Sequence, residues 1–344
     1  MKSSRLFGVL TAVAAAVTVL VPGAAEAAPV ITELPALPGG SASGAWGIND
    51  SGVVVGWSNT ASTSHAVRWS ATGVATDLRT LPADNGSGAT AINNGGTVVG
   101  QSSRSGVQRA VRWSPTGTIR ALALATGTTY CTAETINDAG QIAGHCGTSF
   151  SSSDGRPVRW ADDGTVKVLP LLPGDVAGSA LKINRDGTIV GWSRDSSFTD
   201  HAVRWAPDGT VTQLPLLPGA SYGTASGIND AGVIVGQAWI YDAQTGHGTY
   251  HVTRWNTDGS VTDLGGLTAQ PQDRSHAISP DGTVVGEALN SADRYTAARW
   301  ANGTITDLGT LPNLPSGTIT FATSVNAGGA IAGSSGGNAV RWNG

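Results

Sequence analysis

Arg-Trp recurs seven times in this chain, at Arg68-Trp69, Arg112-Trp113, Arg159-Trp160, Arg204-Trp205, Arg254-Trp255, Arg299-Trp300 and Arg341-Trp342. Successive tryptophans lie 44, 47, 45, 50, 45 and 42 residues apart. A period of about 45 residues carried to the end of the chain restricts the fold to a repeat architecture, in which each unit buries its apolar face against its neighbours. A second marker precedes each pair: Ile48-Asn49-Asp50, Ile92-Asn93-Asn94, Ile136-Asn137-Asp138, Ile183-Asn184-Arg185, Ile228-Asn229-Asp230, Ile278-Ser279-Pro280 and Val325-Asn326-Ala327, each with a Gly two residues further on. It reads as a hairpin turn, because Asn opens the turn through its own side chain and Gly accepts the positive φ that other residues resist.

The turn separates two strands. Gly52 to Gly56 and Thr283 to Gly286 are β-branched runs of strand length, and His65 to Trp69 predicts a third strand. A second tight turn such as Pro207-Asp208-Gly209 leads to a fourth, Val211 to Leu214, matched by Ile31 to Leu34, Ala75 to Leu78, Val261 to Leu264 and Ile305 to Leu308. Four short strands per 45 residues is the size of a propeller blade. The repeats run over about 31–74, 75–118, 119–165, 166–210, 211–260, 261–304 and 305–344, so they begin with a fourth-type strand and end just after a third. An open β-solenoid would share the period but not this offset. The expectation is an all-β, seven-bladed β-propeller whose ring is closed by the N-terminal strand, as one domain over residues 28–344.

Composition fits that reading. Hydrophobic residues make up 40% of the chain, enough for a core, while charged residues make up 13%, about half the usual share of roughly 25%. A net charge of −4 without a run of Lys or Arg argues against nucleic acid as partner. Lys2 and Arg5 precede an apolar run from Leu6 to Val21, then Ala25-Glu26-Ala27, which predicts a signal peptide over residues 1–27 cleaved after Ala27, with no retained membrane span. Export would let Cys131 and Cys146 form a disulfide. A two-residue turn at Asp138-Ala139 places the two cysteines opposite each other, whereas a three-residue turn ending at Gly140 points them to opposite faces.

The order Ile-Asn-Asp-x-Gly, Val-Val-Gly and His-Ala-x-x-Trp resembles the bacterial extracellular HAF repeats across about residues 31 to 344. His65-Ala66 and His201-Ala202 keep two letters of the naming triplet, and Val67 and Val203 stand in place of its Phe. The resemblance implies a secreted, propeller-like repeat protein and carries over no catalytic residue.

Positions common to most copies are scaffold, and positions that differ are free to hold a site. The Arg-Trp pairs belong to the scaffold, with Trp packed between blades and Arg expected to bridge to fourth-strand acids such as Asp77, Asp263 and Asp307. The Asp-Gly turns lack the spaced acids of a calcium loop. Divergent loops collect on the face opposite the tight turns: Pro38 to Gly44, Pro82 to Ala89, Thr148 to Gly155, Pro218 to Thr224 and the longest, Ala238 to Tyr250. After the Gly that ends the second strand stand Trp57, Gln101, His145, Trp192, Gln237, Glu287 and Ser334, a candidate ring at one mouth of the channel, with Trp239, Tyr241 and Tyr222 nearby. Aromatic faces beside amides and carboxylates suit sugars.

Two residues before each Ile marker stand Trp46, Thr90, Glu134, Leu181, Ser226, His276 and Thr323. Glu134 and His276, with Glu287 and His145, place acid and base groups in blades three and six, which gives an enzyme alternative: a polysaccharide hydrolase or lyase using Glu134, Glu287 and His276. No cofactor motif and no metal set is present: His247 and His251 are four apart, but in a Gly-containing stretch read as loop. The leading reading is a monomeric, secreted, non-enzymatic module that binds carbohydrate or another exported protein on its divergent-loop face. A purely structural surface protein is the remaining alternative.

Overall fold

The structure, a computed structural model, describes residues 29–148, 154–243, 246–315 and 317–343; the predicted signal peptide lies outside the described residues. Seven four-stranded antiparallel sheets form the chain, and within each the strands follow one another in order. Blade one runs through Ser43–Ile48, Val54–Asn59, Ser64–Trp69 and Ala75–Asp77. The seventh sheet takes its outer strand, Val30–Glu33, from the other end of the chain, pairing Ile31 with Trp342 and Glu33 with Val340. The fold is therefore a seven-bladed β-propeller closed by its N-terminal strand, as the offset repeats predict. Each sheet starts at the strand carrying the Ile marker, so repeats counted from residue 31 straddle two blades.

First strands contact one another around the axis, and the core consists of layers between blades rather than one central mass. One such layer joins Leu34, Leu37, Ile48, Val54, Val67 and Trp69 to Ala332 and Ala339 of the last blade. Each repeat tryptophan is buried in such a layer. Six of them donate the indole N–H to a carbonyl in the exit from the preceding blade's fourth strand, as Trp69 does to Pro35 (2.7 Å) and Trp205 to Pro170 (2.7 Å). A large apolar ring with one satisfied polar atom thus serves as the inter-blade rivet.

The marker asparagines do two jobs. Asn49 accepts the Val53 N–H through Oδ1 (3.0 Å), closing its own turn, and donates through Nδ2 to the Asn93 carbonyl of the next blade (3.2 Å). The same link runs Asn93 to Asn137, Asn137 to Asn184, Asn184 to Asn229 and Asn229 to Ser279, and then Asn326 to Asn49 across the seam. Only the step from blade six to blade seven lacks it, because Ser279 occupies the donor position.

Two expectations need correction. Arg68, Arg112, Arg159 and Arg341 turn not to the expected fourth-strand acids but to the next blade's outer turn, Arg68 donating to the Pro115 carbonyl (2.8 Å), Arg112 to Asp162 O (2.9 Å), Arg159 to Pro207 (3.0 Å) and Arg341 to Ala71 (2.8 Å). Strand alternation is the reason. Asp77 lies opposite Val67, hence on the other face from Arg68, and bonds His65 instead (3.0 Å). Likewise Asp263 bonds His251 (2.8 Å) and Asp307 bonds Thr296 (2.5 Å).

The stretch Ala238 to Tyr250 is not a long loop. Blade five extends its inner strands to nine residues each, Ala220–Ile228, Ile234–Asp242 and His247–Trp255. The pairs Trp239 with Tyr250 and Ile240 with Thr249 favour continued sheet, and Gly248 makes room for the Trp239 ring, which a Cβ there would meet at 1.8 Å. His247 and His251 consequently sit on a strand, four residues or about 13 Å apart, too far to share an ion. Among the described residues no group of three metal-ligating side chains forms.

Candidate functional site

Each first strand carries a β-bulge at the same place in all seven blades, blade five having a second between Ala220 and Tyr222, and the shared extra residue is Trp46, Thr90, Glu134, Leu181, Ser226, His276 or Thr323. A bulge re-aims the side chain it carries. All seven bulge residues line one cavity of about 430 Å³ on the axis, joined by Gln101, Thr132 and Lys182. A second chamber of about 210 Å³ continues toward the tight-turn face, ringed by Ile48, Ile92, Ile136, Ile183, Ile228, Ile278 and Val325. Trp46, Thr90 and Lys182 border both, so they mark the waist of the channel.

Three bulge residues are scaffold. Thr90 Oγ1 lies 2.6 Å from the Ala133 carbonyl, Thr323 Oγ1 is 2.8 Å from Ala45 O, and Ser226 Oγ is 2.9 Å from Ser275 Oγ, each a link to the next blade. The other four, Trp46, Glu134, Leu181 and His276, give up that link and present an indole, a carboxyl, an isobutyl group and an imidazole to the cavity. The residue after the bulge is equally telling: Gly47, Ala91, Thr135, Gly227, Ala277 and Ser324 are small, and Lys182 alone is large and charged.

Lys182 faces Glu134 electrostatically, yet no carboxylate of the described residues lies within 4 Å of its ammonium. Burial lowers the lysine pKa, with the Glu134 charge opposing, and burial raises that of Glu134, with the Lys182 charge opposing. Burial, reinforced by the positive charges of Lys182 and Arg274, lowers His276 to about 4, so its imidazole is neutral at pH 7. Glu134 leans on His145 Nδ1 (3.5 Å), the same nitrogen that Ser179 Oγ approaches at 3.2 Å. A nucleophile relay needs a partner at each ring nitrogen, so these three do not form one.

Of the residues that follow the second-strand Gly, Gln101 reaches the cavity wall, its Oε1 accepting from Gln108 (3.2 Å). Trp57 lies across its neighbour strand at Gly44, where a Cβ would come 2.6 Å from Nε1. Arg194 covers Trp192 (4.5 Å to the ring centroid) while clamped on Asp200 at 2.5 and 3.0 Å. His145 sits between Glu134 and Tyr130, whose ring centroid is 5.7 Å away. Gln237 pairs opposite Thr224. Glu287 is buried under Arg274 (3.4 Å), away from the residues that line the cavity, so it does not join Glu134 and His276. Trp239 packs on Tyr250 (4.6 Å) and Tyr222 (5.9 Å), and Tyr241 is exposed.

Of the sequence candidates, Glu134 and His276 come together on one cavity, and beside them stands Lys182, which one further column of the same seven-fold comparison reveals.

Cys131 and Cys146 are paired in register, with Cα atoms 4.1 Å apart, and form the disulfide. The turn is the wider kind, Asn137 N–H to Gln141 O, which alone would put the cysteines out of register; the bulge at Glu134 restores it. The bond thus pins the strand pair that carries Glu134.

No family model matches the chain, and no curated protein does. Among solved structures it is similar to a streptogramin B lyase (14% identity, 92% of this chain and 97% of that one, TM-score 0.61). Comparable likeness extends to virginiamycin B lyase from Staphylococcus aureus (16% identity, 91% and 98%, TM-score 0.57). A third is the β-propeller domain of the Trilobed protease from Pyrococcus furiosus (10% identity, 89% and 94%, TM-score 0.58). At these identities the likeness is one of fold, and the fold serves lyases and a protease alike.

Proposed function

We propose that this protein is an exported, non-enzymatic binding module that takes a carbohydrate at the loop-face chamber of its channel. One observation carries the reading: in a ring built from seven near-copies, the bulge residues that abandon their blade-to-blade link are an indole, a leucine, a carboxyl and an imidazole, and all four meet in one cavity. An indole offers a face for the C–H patch of a sugar ring, and the polar groups beside it suit hydroxyls. The disulfide, the predicted signal peptide and the HAF-repeat resemblance support export.

The test is depletion of the purified protein from solution by a panel of insoluble polysaccharides, with supernatants assayed for released sugar. Depletion without release is the expected outcome. No depletion by any polymer would overturn the carbohydrate reading and direct the search to exported protein partners.

A second reading rests on the electrostatics. Glu134, whose pKa burial raises, and His276, neutral at pH 7, line one cavity, the kind of acid and base pairing a lyase or hydrolase would need. Released product that disappears in Glu134→Gln would establish it.

A further inference from the structure

We propose that Lys182 is an anion-receiving group at the waist of the channel, and that the ligand is an acidic saccharide bound with a carboxylate on the Lys182 ammonium. The inference rests on the carbohydrate reading above and names the class of sugar.

Six blades place Gly, Ala, Thr or Ser immediately after the bulge, and there the first strands run close together: a Cβ on Gly47 would already meet Ala91 Cα at 3.1 Å. A lysine at this position is no packing substitute. Its ammonium brings three donors into the channel, and among the described residues it makes no hydrogen bond and no ion pair within 4 Å. A half-buried ammonium that lines the channel with no carboxylate of the described residues within 4 Å has its donors and its charge open to an anionic ligand. The hydroxyls at the same level offer no competing donors, because Thr90, Ser226 and Thr323 are already turned to neighbouring blades.

Glu134 does not fill the role of counter-ion. Its carboxyl leans toward His145 Nδ1 (3.5 Å) and makes no ion pair with the ammonium within 4 Å, so the lysine's donors stay open. His276 and Arg274 bring no further negative charge, while Trp46 and Leu181 supply the apolar wall for the sugar ring.

The experiment is titration calorimetry of the purified protein with uronate trisaccharides of galacturonate, glucuronate and mannuronate, each beside its carboxyl-reduced counterpart, in which only the carboxylate is changed to a hydroxymethyl group. At least one acidic trimer is expected to bind tenfold or more tightly than its reduced form. Lys182→Ser, which installs the blade-seven residue and is checked for an unchanged unfolding midpoint, is expected to abolish that preference, and Lys182→Arg to retain it. Equal binding of acidic and reduced trimers, or a preference that survives Lys182→Ser, overturns the anion site and leaves the saccharide reading standing. Absence of binding by every trimer of both kinds overturns both.

Discussion

The Asn326 side-chain amide donates to the Asn49 carbonyl at 3.0 Å, joining the last blade to the first across 277 residues of sequence. The bond is the seam member of a girdle in which six blades each hold the next at the tight-turn end of the channel. Asn326→Ala removes this bond, although the Asn49 carbonyl keeps the Gly52 N–H (2.9 Å), and also removes the one that Asn326 Oδ1 accepts from the Ala330 N–H (2.9 Å), and is expected to cost about 1–3 kcal/mol in urea unfolding. Ser279→Asn, which supplies the one missing donor, is expected to stabilise by about 1 kcal/mol. Opposite signs for the two variants are the check, and a destabilised Ser279→Asn would count against the girdle.

Trp46 is the aromatic face of the proposed sugar site. Trp46→Ala is expected to reduce retention on the polysaccharide that depletes the protein by about tenfold, equivalent to roughly 1.4 kcal/mol. Trp57→Ala is the contrast, since that indole lies over Gly44 and does not line the cavity. A larger binding loss from Trp57→Ala would move the site away from the axis.

The disulfide closes a loop of 15 residues. Cys131→Ser with Cys146→Ser is expected to lower stability by about 3 kcal/mol through the unfolded chain. The substitution is otherwise mild, because blade one carries Ser43 and Ser58 and blade two Ser87 and Ser102 at the matching positions. Equal unfolding midpoints for the oxidised and Ser-substituted proteins would show that the bond adds nothing.

Asp273 is fully buried; Oδ1 accepts the Leu289 N–H (2.9 Å) and Oδ2 has no partner. Burial raises its pKa from 3.8 to about 6. Between these values the unfolded chain has released a proton that the native protein still holds, so this group's contribution to stability falls as pH rises, by about 3 kcal/mol in full. His276 acts in the reverse sense, since its native pKa lies below 6.5 and acid favours the unfolded chain. The difference in unfolding free energy between wild type and Asp273→Asn isolates the first effect: relative to the variant, wild type is expected to lose stability from pH 4 to pH 6.5. A difference that is flat with pH would refute it.

The fold was legible because seven copies vote on each position. Turns, strand types and the N-terminal closure all follow from the Ile-Asn and Arg-Trp markers and from the strand left over at Ile31. The site was legible in part. Glu134 and His276 stand out from Thr90, Ser226 and Thr323 in a column of the repeat, but that column is a bulge, where the two-residue alternation that tells inside from outside breaks down. The same break hides Lys182, which faces the channel beside an immediate neighbour that also faces it. Blade five was misread because Gly246 and Gly248 look like loop residues in one dimension, whereas Gly248 is the space occupied by Trp239. The arginine partners were misassigned because proximity in a repeat says nothing about which face of a strand a residue occupies.

The seventh sheet is sewn from both ends of the chain, Val30–Glu33 beside Asn338–Asn343. Six blades can complete themselves from contiguous sequence, whereas the seventh is completed only when the last three strands reach the strand that precedes all the others. Were that strand exchanged between two molecules, the same register and the same side-chain pairs would be satisfied, but as a link rather than a closure. The fastening that closes the ring is thus the one pairing of the described sheets whose two strands are separated by almost the whole repeat array.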